Sequence, residues 1–219
     1  MMKMYRILGA VLLLSAPSVF AAGVATLATG SGQNSETMVL EYDDQGHARM
    51  NMPKSQEGAG YMLNRDGKVW MVMNMQGQVM VMDMARMAAM AAPSGDDAMQ
   101  QEFISAKPTG EKERVAGFEG SVYEMKWKDR KGIQSAKVVL SKDPVVVEYS
   151  NAWMQFAEKM AKSMGQKTEN SIGRYLKKEG LGMLKMGDDF KVVSIQPGKV
   201  NAQDFVLPKA TMQMPMFGG

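Results

Sequence analysis

The chain of 219 residues has no cysteine and a single histidine, His47. Without thiols there can be no disulfide, no thiolate metal site and no Cys nucleophile, and the Cys that bacterial lipoproteins use for acylation is missing too. A lone imidazole leaves only His47 for a Ser-His-Asp triad, and no Ser stands in a Gly-x-Ser-x-Gly elbow. His47 follows a turn and reads as a surface residue. Zn and Cu(II) lack a donor set. The paired carboxylates Asp43-Asp44, Asp96-Asp97 and Asp188-Asp189 all lie near Gly, where turn chemistry accounts for them. Gly180-Leu181-Gly182 lacks the full glycine fingerprint of a nucleotide site. No enzyme site emerges, and the expectation is a protein without catalysis or resident cofactor.

Charge of one sign is also scarce. The formal excess of +3 falls to +1 once Lys3 and Arg6 are set aside, which gives no electrostatic footprint for nucleic acid. Apolar runs are short. Ile7–Leu14, behind Lys3 and Arg6 and ahead of Val19-Phe20-Ala21, reads as a secretory signal cut after Ala21. A bilayer span needs roughly 20 apolar residues, and no other stretch approaches that. The expected organisation is a signal peptide at 1–21, one domain at 22–209 and a Met-rich flexible tail at 210–219. The expected location is the periplasm, as a soluble protein with no transmembrane segment after cleavage.

Leucine and isoleucine are in short supply as well. Beyond residue 21 there are 8 Leu and 4 Ile against 22 Met, so methionine does much of the work of building the interior.

Short alternating runs bounded by turn residues predict antiparallel strands. Glu36–Tyr42 and His47–Met52 flank Asp43-Asp44-Gln45-Gly46, and Gly60–Leu63 and Lys68–Met75 flank Asn64-Arg65-Asp66-Gly67. Gln78–Met84 follows across Gln76-Gly77, and one helical turn follows within Arg86–Ala92. Further strands are expected near Phe103–Ser105, Arg114–Val115, Ser121–Lys128 and Ile133–Leu140. Trp153, Phe156, Met160 and Met164 then recur at helical spacing, behind Ser150 or Asn151 as N-cap and ahead of Gly165. Thr168–Lys178 predicts a second helix, and strands return at Met183–Met186 and Phe190–Ile195. Strands, helices and strands again argue for an α+β domain, with two helices against one side of an antiparallel sheet.

The segment Lys68–Met84 is the most specific signal. A two-residue turn at Gln76-Gly77 sets Met75 opposite Gln78, Met73 opposite Met80, Met71 opposite Met82 and Val69 opposite Met84. All of these fall on one face, while Trp70, Val72, Asn74, Val79 and Val81 fall on the other. Met specifies a core less well than Leu or Val, and flexible, polarizable Met surfaces suit variable apolar partners. The leading expectation is a cavity lined by Met71, Met73, Met80, Met82 and Met84, with Trp153 and Phe156 as its lid. It would hold a hydrophobic small molecule, a lipid or a lipoprotein acyl chain. Two alternatives use the sulfur itself. Thioethers select Cu(I) or Ag(I), for which Met212, Met214 and Met216 are spaced to converge. Exposed methionines at 87–99 and in the tail could also act as an oxidant sink.

The stretch Thr109-Gly110-Glu111-Lys112-Glu113-Arg114-Val115-Ala116-Gly117-Phe118-Glu119-Gly120-Ser121-Val122-Tyr123 resembles the midpoint of the exported bacterial domain-of-unknown-function 4412 family. The Met-rich hairpins before it and Phe205-Val206-Leu207-Pro208 fit the same pattern, so the resemblance spans roughly residues 35–209. It departs at Gly120, where relatives often carry Cys. The family is similar in layout to the outer-membrane lipoprotein carriers. That resemblance implies a strongly curved antiparallel half-barrel whose concave side is plugged by helices, with a cavity for acyl chains. It assigns no functional residue.

Overall fold

Two meanders join into one sheet. The first runs through β1 (Gly23–Thr29), β2 (Glu36–Tyr42), β3 (Ala48–Asn51), β4 (Ala59–Arg65), β5 (Lys68–Met75) and β6 (Gln78–Asp83). The second runs through β7 (Glu102–Val115), β8 (Phe118–Asp129) and β9 (Gly132–Ser141), then β10 (Gly182–Met186) and β11 (Phe190–Pro197). The strands lie in the order β6-β5-β4-β3-β2-β1-β11-β10-β9-β8-β7, so β1 and β11 join the meanders at the centre and the sheet stays open. All pairs are antiparallel. The computed structural model describes residues 22–30, 32, 35–53, 59–90, 102–129, 131–166, 168 and 171–211.

Three helices accompany the sheet among the described residues. α1 (Met84–Met90) follows β6, while α2 (Pro144–Ser163) and α3 (Ile172–Glu179) are inserted between the neighbouring strands β9 and β10. α2 touches β2, β3 and β5 on one side of β1 and β10 and β11 on the other, so the curved sheet wraps around it. The expected α+β architecture is what forms, and the helical turn expected within Arg86–Ala92 is α1, which starts at Met84. No helix among the described residues is long and apolar enough to cross a membrane.

α2 begins earlier than Ser150 or Asn151. The Asp143 carboxylate accepts from the Val145 amide at 2.9 Å, and Pro144 fills the first helical position, where its missing N–H costs nothing. Ser150 is instead buried in mid-helix, and its hydroxyl accepts from the Met183 amide of β10 at 3.1 Å. The neighbouring Gly182 makes that contact possible. A Cβ there would clash with the Val146 carbonyl oxygen and stand 2.6 Å from its carbon, so helix and strand backbones meet with no side chain between them. α3 is shorter than expected, capped by Ser171 and stopped by Gly180 in the left-handed region (φ 63°).

Between α2 and the sheet lies a core containing Ala25, Leu27, Leu40, Met50, Tyr149 and Phe156. A second core packs Ile172 and Leu176 of α3 against Met125, Trp127, Val138 and Leu140. β1 escapes the sequence pattern because Leu27 is the one large apolar residue in its inward row of Gly23, Ala25 and Leu27. The two short strands expected around Phe103 and Arg114 are one strand, β7, with register shifts near Ile104 and between Pro108 and Lys112. Gly120 is buried, with Val139 Cγ1 2.5 Å from where a Cβ would stand, so the position excludes a side chain such as Cys unless its neighbours move.

Candidate functional site

The site is built by register. Gln76 (φ 53°) and Gly77 (φ 83°) both take left-handed backbone, the two-residue turn whose twist matches a hairpin. Gly adopts it freely, whereas Gln76 does so against its Cβ. The turn pairs Met75 with Gln78, Met73 with Met80 and Met71 with Met82, as the spacing predicts. The expected Val69–Met84 pair is not made. Pairing stops at Trp70–Asp83, and Asp83 accepts from the Ala85 amide at 3.0 Å, which turns the chain into α1 with Met84 as its first residue.

The row extends well beyond the hairpin. Met71 is also opposite Met62 of β4, and Met62 is opposite Met50 of β3. Four methionines, Met50, Met62, Met71 and Met82, therefore stand side by side across four strands. A second row runs beside it. Met73 faces Gly60, and the Met52 amide donates to the Gly60 carbonyl at 3.0 Å to continue the ladder. Gly60 leaves the space that Met52 fills, for the thioether methyl lies 2.8 Å from where a Cβ would be.

Pair type also follows from the turns. Residues flanking a two-residue turn form a hydrogen-bonded pair, and pairs alternate from there. Met73–Met80 and Met71–Met82 are thus hydrogen-bonded pairs. Counted from Arg65–Lys68 across Asp66-Gly67, Met62–Met71 is a non-hydrogen-bonded pair, the closer kind, with Cα atoms about 4.5 Å apart. The outward amide and carbonyl of Val79 agree with this alternation. They meet the Thr211 hydroxyl at 2.7 Å and the Thr211 amide at 2.9 Å, beyond the sheet edge.

Burial grades along the rows. Met50 and Met82 are buried, whereas Met38, Met52, Met62, Met71, Met73 and Met80 are half-buried. α1 lies against β5 and β6, and α2 reaches β5. The helices add thioethers of their own, because Met84, Met87 and Met160 are half-buried. Every inward position of β4, β5 and β6 in these rows is uncharged. The nearest ion pair, Lys68–Asp83 at 3.4 Å, involves Asp83 of the opposite row.

That opposite face carries Trp70, Val72, Val79 and Val81 and is crossed by residues 201–211. Arg65 donates to the Phe205 carbonyl at 2.6 Å and Arg49 to the Asp204 carbonyl at 3.3 Å, and Phe205 is buried. His47 is not on the surface. It is half-buried, bonded through Nδ1 to Asp43 at 2.7 Å, with its ring centroid 6.0 Å from that of Phe205. Thr211, expected at the start of a loose tail, is held at β6.

Phe156 is fully buried in the α2 core. Trp153 stacks on Phe190 of β11, across β1 from the hairpin, so the structure does not bring it to the Met71–Met82 rows. Met212, Met214 and Met216 lie outside the described residues, as do Asp96 and Asp97. Among the described residues no group of three His, Cys, Asp or Glu side chains could hold a metal ion. Burial, with the Glu148 charge as a lesser cause, pushes the Tyr42 phenol up to about 12, and burial pushes that of Tyr149 up further. The Tyr149 hydroxyl has no hydrogen-bond partner among the described residues. The four-strand row was beyond sequence reasoning, since it needs the β3–β4 register. The repeat of Met at 50, 62, 71 and 82 was its only signal.

A scan of family models matched none to this chain, and neither curated protein sequences nor solved structures gave a match.

Proposed function

We propose that the protein is a non-catalytic holder of an apolar ligand, a lipid or acyl chain, taken up against the methionine-faced side of β2–β6 beneath α1 and α2. The observation that carries this reading is the half-burial of Met62, Met71, Met73 and Met80 in a patch without charge. A row that served packing alone would be sealed as Met50 is, at 1% exposure. Unbranched thioether side chains reshape around variable apolar partners better than Leu or Val. Export to the periplasm belongs to the same proposal and rests on residues 3–21. The sequence resemblance of residues 109–123 to an exported family that is similar in layout to lipoprotein carriers suggested the same ligand class.

The test has two arms. Purified full-length protein is extracted into organic solvent for mass spectrometry, and the stripped protein is titrated with a fluorescent fatty acid. A copurified lipid, and saturable probe binding that Met73→Lys abolishes with the fold intact, are expected. Absence of both lipid and probe binding in the folded wild-type chain refutes the reading.

A further inference from the structure

We infer that Met62, Met71 and Met82 form a three-thioether site for a soft monovalent ion, Cu(I) or Ag(I), on the inward face of β4–β6. The placement is set by backbone register rather than by composition. Met71 has a methionine directly opposite on each side, Met62 on β4 and Met82 on β5's other neighbour, β6. Opposed Cβ atoms stand about 4.5–5.5 Å apart, and a methionine carries its sulfur two bonds beyond Cβ. The sheet curves round α2, which tilts the Met62 and Met82 side chains towards that of Met71 on the shared inward face, and their flexible thioethers can be drawn to one ion. Met62 and Met71, the closer pair, are half-buried, which leaves a route for the ion, while Met82 is held in place by its burial.

The donor chemistry selects the ion. Thioethers are soft and neutral, and they favour Cu(I) and Ag(I) over Zn, Mg or Ca. The surrounding inward positions of β4, β5 and β6 offer no carboxylate or imidazole to attract a harder ion. A single positive charge also costs far less to place in a partly buried site than a double one. The inference stands apart from the acyl-ligand reading, because leucine can replace methionine against an alkyl chain but cannot donate to a metal.

The experiment uses full-length protein with methyl-labelled methionine, titrated with Ag(I) and, anaerobically, with Cu(I) against a chromogenic chelator. The methyl signals of Met62, Met71 and Met82 should shift together at the first equivalent of ion, ahead of those of the exposed Met90 and Met164. Met71→Leu, a volume-conserving swap, should weaken Ag(I) binding by about tenfold or more. It should leave the thermal midpoint as in wild type. Replacing Met212, Met214 and Met216 by Leu should leave the first equivalent in place. Unchanged Ag(I) affinity in Met71→Leu, or loss of the first equivalent in the tail variant, overturns the inference. Neither result bears on whether a lipid binds.

Discussion

Substituting Gly182 by Ala puts the seating of α2 to the test. The added methyl would clash with the Val146 carbonyl oxygen, with the carbonyl carbon at 2.6 Å and Val146 Cγ1 at 2.9 Å. The first two are backbone atoms in the first turns of a helix, so no rotamer change relieves the clash. α2 must lift or β10 must bend. Overpacking of this kind costs about 1–3 kcal/mol. The shift also threatens the buried bond from the Met183 amide to Ser150, and an unsatisfied buried group adds about 1–3 kcal/mol. A combined loss of about 2–6 kcal/mol lowers the thermal midpoint of a chain this size by about 2–4 °C per kcal/mol. Thermal unfolding followed by circular dichroism measures it. The helix should also sit less firmly over the methionine rows, so fatty-acid binding should change with stability. A Gly182→Ala midpoint within about 2 °C of wild type would show that α2 does not rest on β10 as described.

Three other outcomes follow from the geometry. Tyr149→Phe removes a buried hydroxyl that lacks a partner among the described residues and should leave stability unchanged or raise it by about 1 kcal/mol in denaturant titration; a loss of that size would mean the hydroxyl is bonded. Tyr42 ionises near 10 when unfolded and near 12 when folded, so the folded state holds the extra proton between those values. Stability should be fully present below pH 10 and fall as pH rises towards 12, with less phenolate absorbance than the denatured chain shows; phenolate appearing at pH 10 without unfolding would contradict the burial. Phe205→Ala should cost about 3–5 kcal/mol because the ring is fully buried under the strap of residues 201–211, and a neutral result in thermal unfolding would mean the strap adds no stability.

The parts of the structure written in local chemistry were legible in the sequence. Gln76-Gly77 between strictly alternating runs dictates one register, and the Met71–Met82 and Met73–Met80 pairs followed from it. The limit of that reading is Met84, where Asp83 stops pairing by capping the next helix. β-branched Val145-Val146-Val147 hid the start of α2, although Asp143-Pro144 is a sound N-cap and first position. β1 was hidden because Gly23 and Ala25, two of its three inward residues, are too small to mark a buried face, which leaves Leu27 alone to do so. The four-strand methionine row depends on β3 pairing with β4, and residues 52–58 between them carry no two-residue turn to announce it. Pairings fixed by distant residues leave no local mark.

The central pairing of β1 with β11 joins Gly23 to Pro197, so β1 finds one of its two partners only after all the other strands of the sheet have been made. A ribosome releases β1 long before β11. Until β11 emerges, β1 can pair only with β2, and no strand ladder links the two meanders. Non-local closure of this sort slows folding by comparison with helical domains of equal length. It also keeps two hydrogen-bonding strand edges unsatisfied in the waiting chain, which makes the interval before closure the one in which it is most open to aggregation or to capture by a chaperone.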